Sequence, residues 1–190
     1  EWGVLKAGCV NGGRFRREEQ KALPKDLEPK IQYQIKEGDL LMSRASGSKE
    51  LIGSTAVVPA LRRKLLLCDK VYRLKVDGGK ILPKYVALVA SSPQVRQQIE
   101  MGVSGAGGLA NNLPSGVVRN LEIPLPGQEE QGEVVRAWER YQQRTADLKA
   151  SLERQLALLA ERRQALITAA VTGQFDVTTA GRAGEAVASV

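Results

Sequence analysis

Seven consecutive residues, Ser43-Arg44-Ala45-Ser46-Gly47-Ser48-Lys49, place a guanidinium, three hydroxyls and an ammonium directly after an apolar run. A small, polar, basic loop at the end of a strand lets backbone and short side chains come close to a ligand. Its groups donate to phosphate oxygens and to base edges. Arg14, Arg16 and Arg17 surround Phe15, with Lys21, Lys25 and Lys30 after them, and Arg62-Arg63-Lys64 makes another dense positive patch. Basic side chains around an aromatic suit phosphate contact and groove insertion; a solvated loop would look the same. Asn111 and Asn112 carry amides able to read adenine edges or to close a turn. The candidate DNA-contacting residues are therefore Arg14, Arg16, Arg17, Lys21, Ser43, Arg44, Ser46, Lys49, Arg62, Arg63, Asn111 and Asn112. The Arg and Lys residues in 14 to 25, 44 to 49 and 62 to 64 are expected to hold phosphates, and some of Arg14, Arg44, Ser46, Lys49, Asn111 and Asn112 to touch base edges.

Other chemistries lack their residues. The chain has no His and two Cys, Cys9 and Cys68, outside any metal-type or CxxC spacing, so a zinc site or His-based acid/base catalysis lacks its usual groups. The cysteines read as structural thiols of a reducing cytoplasm, with a disulfide between them left open. Gly102 to Gly108 holds four glycines in seven residues, yet it matches neither GxGxxG nor a phosphate loop with its Lys-Ser/Thr. No acidic cluster has metal-binding spacing, and no Asn/Asp-Pro-Pro-aromatic motif of amino-methyltransferases is present. No residue is assigned catalysis or a metal. No apolar run approaches a membrane span and Glu1 opens without signal-peptide features, so no membrane is expected. The chain begins without Met, from which an upstream piece is expected.

Charge is unevenly placed. Net charge is +7 over 190 residues, but residues 1–127 hold 20 Lys/Arg against 12 Asp/Glu, whereas 128–190 hold 8 against 9. A basic domain followed by a neutral segment suggests a polyanion for the first and a protein for the second. Solubility charge is the plainer alternative.

The elements that must position these groups follow from periodicity. Residues 1–30 read mostly as loop. Ile31, Tyr33 and Ile35 alternate with Gln32 and Gln34 as a strand, Gly38-Asp39 turns into a second strand at Leu40-Leu41-Met42, and Ile52 to Val58 and Leu65 to Val76 read as two more. Short helices fit Pro83 to Ala90 and Pro93 to Met101, the second capped by Ser92, with Tyr85, Leu88, Val89, Val95 and Ile99 toward the core. Val117 to Pro126 alternates as a last strand.

From Gln128 to about Ala170 one helical period persists without Pro. Its seam is Val134, Trp138, Tyr141, Thr145, Leu148, Leu152, Gln155, Leu159, Arg162, Leu166 and Ala169, with Leu156 widening it. Gly173 is the stop. At about 1.5 Å per residue this helix exceeds the width of a small domain. It is expected to project and to bury its stripe against a second helix, from another copy or another protein; lying across its own domain is the alternative. Polar Gln155 and Arg162 would fix register or contact a third protein. The expected organisation is a basic, DNA-contacting domain over 1–127, a long partner-seeking helix over 128–172 and a tail over 173–190. The fold class is α+β, a small mixed β-sheet domain with short helices followed by one long α-helix forming a coiled-coil arm.

In combination these stretches resemble one half of the specificity subunit of Type I restriction-modification systems. The matching segments are Lys36-Glu37-Gly38-Asp39-Leu40-Leu41-Met42-Ser43-Arg44, the Gly102 to Leu113 loop, Leu121-Glu122-Ile123-Pro124-Leu125-Pro126 with Glu129-Glu130-Gln131, and Arg162 to Asp176. The resemblance implies a target recognition domain and a spacer helix, repeated twice in a full subunit with the helices antiparallel. The two domains would read a split site on double-stranded DNA, while the helices dock methyltransferase subunits and a restriction/translocase subunit. S-adenosylmethionine would bind the methyltransferase, leaving this chain without a cofactor. The chain departs from that pattern in having one domain and one helix, and in lacking the expected Trp-containing leading segment before Glu1. A natural half subunit, a C-terminal half and a degenerate remnant are all open. The competing reading is a protein-interaction scaffold whose long helix is functional and whose basic domain binds DNA without specificity. A nuclease or methyltransferase in its own right is the third.

Overall fold

Leu40-Leu41-Met42 is apolar at every position, and such a strand has to be covered on both faces. The computed structural model describes residues 2–103 and 111–174 and supplies that cover. Its strands are β1 (Trp2–Leu5), β2 (Gln20–Ala22), β3 (Leu40–Ser43), β4 (Ala45–Ser46), β5 (Thr55–Val57), β6 (Lys64–Leu66), β7 (Val71–Leu74) and β8 (Asn111–Asn112). Its helices are α1 (Pro83–Val89), α2 (Pro93–Gly102), α3 (Ser115–Arg119) and α4 (Gln128–Val171). Single 3₁₀ turns occupy Ile31–Tyr33 and Lys49–Leu51, and Ala7–Gly13 is 3₁₀ chain kinked at Asn11 and Gly12.

The strands form three small sheets, ordered β2-β1-β6, β5-β3-β7 and β4-β8. All pairs are antiparallel except β1 with β6. Because successive strand residues point to opposite faces, β3 divides two cores. Leu41 packs with Leu5, Cys9, Val10, Ile35, Ala56, Val58, Leu65 and Val71. Met42 packs with Ile52, Ile81, Tyr85, Val89, Val95, Ile99, Leu113 and Val135. Both side chains are fully buried, each worth about 1.5–3 kcal/mol of transfer free energy.

Contacts divide the chain into two units, Glu1–Ala137 and Trp138–Val190. In the first, α1 and α2 each begin with Pro, whose missing N–H is an orphan there anyway. Ser92 caps α2 by accepting from Val95 N–H. Tyr85, Val89, Val95 and Ile99 are buried as expected from the sequence, and Leu88 is half-buried. The start of α4 belongs to this unit, with Val135 in the core and Gln131 at 0% exposure.

Four sequence expectations change. Residues 1–30 contain the paired strands β1 and β2 rather than loop alone. Ile31–Tyr33 is a 3₁₀ turn, and Gln34 after it makes a lone bridge to Leu66; Ile31 is 60% exposed and Tyr33 48%, so two of the three alternating side chains face solvent while Ile35 enters the core. Leu65 to Val76 is two strands in different sheets, β6 and β7. Val117 to Pro126 is α3 followed by irregular chain, in which Glu122 exchanges both backbone hydrogen bonds with the amide of Gln98. A side-chain amide replaces the strand partner.

Gly53 takes φ +74°, and a Cβ there would sit 2.7 and 2.9 Å from Ile99 side-chain carbons. Gly53→Ala is expected to cost about 2–4 kcal/mol, combining left-handed strain with overpacking. Urea unfolding should show a lower midpoint with an unchanged slope.

The second unit is the remainder of α4 from Trp138. Trp138, Tyr141, Leu148, Leu152, Leu156, Leu159 and Leu166 are exposed along it, and Trp138 stacks on Tyr141 with ring centroids 5.5 Å apart. Leu158 and Ile167 are exposed as well. The helix ends with Gly173 at φ +73°, Gly173 N–H donating to Ala170 O and Gln174 N–H to Ala169 O. That pairing satisfies the last carbonyls and needs a residue free of a Cβ. The glycine-rich stretch 104–110 and the tail from 175 lie outside the described residues.

Candidate nucleic-acid interface

Arg44 stands between β3 and β4 and is held from several sides. Its N–H donates to Lys70 O at 2.8 Å, and its carbonyl accepts from Leu113 N–H at 2.8 Å. Its guanidinium lies over the Tyr72 ring, 5.6 Å from the centroid. Nε donates to Asn112 Oδ1 at 3.3 Å and Nη1 to Asp69 O at 3.4 Å. Tyr72 donates its hydroxyl hydrogen to Leu113 O at 2.8 Å, and Leu113 is fully buried. The ribbon β4-β8 is thereby docked onto β7.

In that ribbon Ala45 faces Asn112 and Ser46 faces Asn111. Arg44, Ser46, Asn111 and Asn112 are thus brought together, although 68 residues separate Arg44 from Asn112. Ser46 Oγ accepts from Ser48 N–H at 3.2 Å and closes a small turn. Lys49 follows, exposed, in a turn pinned to α2 because the Arg96 guanidinium donates to the carbonyls of Ile52 and Glu50.

The other cations fall into two groups. Arg14, Arg16 and Arg17 are exposed after the 3₁₀ turn Ala7–Gly13, which packs against β3, β4 and β5 and buries Cys9 and Val10. Lys21 lies in β2 opposite Val4, on the sheet whose far strand β6 follows the exposed Arg62 and Arg63. Lys64 of that strand sits over Trp2, 5.3 Å from the ring centroid.

Ser43 has to be withdrawn from the candidate contacts. It is 0% exposed within β3, opposite Val71, because the strand is covered on both faces. Tyr72, which orients Arg44, falls in the stretch Leu65 to Val76 that the sequence marks only as a strand. Nothing in its sequence neighbourhood points to residue 44 or 113.

Burial pushes the Cys9 thiol up to about 12, with Cys68 adding to the rise, and burial raises Cys68 as well. Both thiols are free and protonated at neutral pH, which leaves neither as a ready nucleophile. Burial, with Glu130 nearby, also raises the Tyr85 phenol, which donates to Pro124 O at 3.2 Å. Among the described residues no His, Cys, Asp and Glu gather as a metal-binding group, and no described helix is long and apolar enough to cross a membrane. An open groove of about 750 Å³ beside β7 is lined mainly by apolar side chains, with Arg73, Lys75, Asp77 and Arg119 among them.

No protein-family model matches the chain. Over 152 residues, 80% of its length, it is 31% identical to the Type I restriction enzyme EcoEI specificity subunit of Escherichia coli. The chain is related to the Type I specificity subunits. It spans 25% of that relative's length. Two solved structures share the fold of this chain. The HsdS subunit from Thermoanaerobacter tengcongensis matches with a TM-score of 0.61 at 18% identity, over 87% of this chain and 40% of that one. A chain from the type I R-M system, solved for its complex assembly and conformational transition, matches at 0.60 and 20% identity, over 89% and 37%.

Two of the stretches that carry the resemblance have physical roles here. In Lys36 to Arg44, Asp39 accepts from Lys36 N–H at 2.8 Å and pairs with Arg73 at 3.3 Å, fixing the turn into β3. In Glu129-Glu130-Gln131, the two acids complement the helix N-terminus. Gln131 ties α4 to residues 80, 82 and 126.

Proposed function

We propose that this chain is a non-catalytic DNA-reading part of a Type I restriction-modification assembly. The observation that carries this is its 31% identity, over four-fifths of its length, to a specificity subunit. The residues up to about 127 act as the target recognition domain: Arg16, Arg17, Lys21, Lys49, Arg62 and Arg63 hold phosphates, while the ribbon of Arg44, Ser46, Asn111 and Asn112 meets base edges in the major groove, which admits a two-stranded ribbon. The helix from 128 docks methyltransferase subunits, which bind S-adenosylmethionine and do the chemistry, and beside them a restriction subunit. The assembly works in the cytoplasm, where its DNA is.

The exposed stripe from Trp138 to Leu166 supports self-pairing of the helix. Two copies paired antiparallel would read an inverted, split site whose gap is set by helix length. Deleting seven residues, 148–154, is expected to shorten that gap by about 10 Å, or about three base pairs. Selection from random duplex pools reads the gap directly; changed bases at an unchanged gap would contradict the ruler.

The same stripe favours the second reading, a scaffold whose basic domain binds DNA without specificity. Co-purification with candidate methyltransferase subunits, the mass of the complex and selection from random DNA separate the two. A split motif establishes the specificity reading, and a stable complex that selects no sequence leaves the scaffold.

A further inference from the structure

Among the cations near the ribbon, Arg44 differs in how tightly its guanidinium is placed. It is half-buried, stacked on Tyr72 and hydrogen-bonded through Nε and Nη1 to two neutral oxygens. Neutral partners leave its charge uncompensated. They use two of its five N–H donors, and the three that remain are one on Nη1 and both on Nη2, the end of the fork. That end matches two acceptors side by side, the O6 and N7 of guanine in the major groove. A phosphate offers paired oxygens too, but the exposed Arg16, Arg17 and Arg62 serve phosphates without such placement. Fixing a guanidinium in advance removes the rotamer cost of binding and confers discrimination only where the ligand is a rigid base edge. The neighbours of Arg44 in the ribbon, Ser46, Asn111 and Asn112, carry neutral hydrogen-bonding groups suited to base edges rather than to charges.

We propose that Arg44 reads one guanine through the end of its guanidinium, and that Tyr72 and Asn112 are its positioning residues. This rests on the DNA-reading role proposed above.

The test uses the full chain, with its methyltransferase partner if binding requires it, and the duplex motif it selects from a random pool. Each guanine of that motif is replaced singly by 7-deazaguanine, which keeps base pairing and deletes the N7 acceptor. One guanine should lose roughly five- to hundredfold in affinity on replacement. With Arg44→Lys that penalty should fall below about twofold, while affinity for motif-free duplex stays within about threefold. Tyr72→Leu should erase the same penalty, and Tyr72→Phe, which keeps the ring under the guanidinium, should retain most of it. If Arg44→Lys does not fold, Asn112→Ala takes its place and must reduce the penalty. A motif with no sensitive guanine, or a penalty that survives Arg44→Lys, overturns the assignment while leaving sequence reading intact. Uniform weakening on all duplexes with a salt slope lower by about one makes Arg44 a phosphate contact instead. Selection of no motif by the unaltered protein fails the DNA-reading role and this assignment together.

Discussion

Gln131→Leu is expected to lower the stability of the first unit by about 3–5 kcal/mol, although leucine fits the volume and is itself apolar. Gln131 is fully buried. Its Oε1 accepts from Leu82 N–H at 2.9 Å, and its Nε2 donates to Lys80 O at 2.9 Å and to Pro126 O at 2.8 Å. Leucine leaves the donor and the two acceptors of these part-buried bonds without their partner, at about 1–3 kcal/mol for each that water cannot reach. Two of these bonds join the start of α4 to the segment before α1 and the third holds Pro126 just ahead of the helix, so the helix start loosens with them. Gln131→Glu tests the geometry separately. One carboxylate oxygen can still accept from Leu82, but the other faces two carbonyl oxygens, which favours the protonated acid and raises its pKa above the unfolded value. The variant is therefore most stable below the ordinary carboxylate range and loses stability as pH rises through the raised pKa. Urea unfolding at several pH values reads this. A pH-independent loss would show that the acid does not meet the Lys80 and Pro126 carbonyls.

Replacing Arg16, Arg17, Lys21 and Arg62 together by alanine is expected to weaken DNA binding roughly a thousandfold near physiological salt. If each holds one phosphate, each releases counterions worth about 0.9 in the slope of log affinity against log salt, and the slope should fall by about 3.6. These side chains are exposed and pack no core, so the melting temperature should hold within a few degrees. Because phosphate contacts carry no sequence information, the motif selected from random DNA should stay the same. An unchanged salt slope would place the DNA elsewhere on the domain. A changed motif would mean that some of the four meet bases.

How much of this was legible beforehand follows from the range of each interaction. The helix from Gln128 was readable to within a residue or so because its hydrogen bonds, its apolar period, its acidic first turn and its Gly173 stop are all local. The short helices were readable for the same reason, through Pro83, Pro93 and the Ser92 cap. Strands were readable where burial marked them, as at Leu40 to Met42. Alternation misled wherever the partner was missing or remote: Ile31 to Ile35 has one bridge to pair with, and the chain around Glu122 is held by Gln98 instead of a strand.

The sequence by itself determined where positive charge concentrates, that the chain has no His and two widely spaced Cys, and a long helix with an apolar stripe, since these depend on composition and on neighbours within a turn. It also carried the family resemblance, through the order of short stretches. Only the tertiary structure decided that Ser43 turns inward while Arg44 stays half-exposed, that Leu65 and Val71 enter different sheets, and that Tyr72 and Asn112 close on Arg44. Those outcomes depend on which distant strands pair, and a local pattern does not encode its partner.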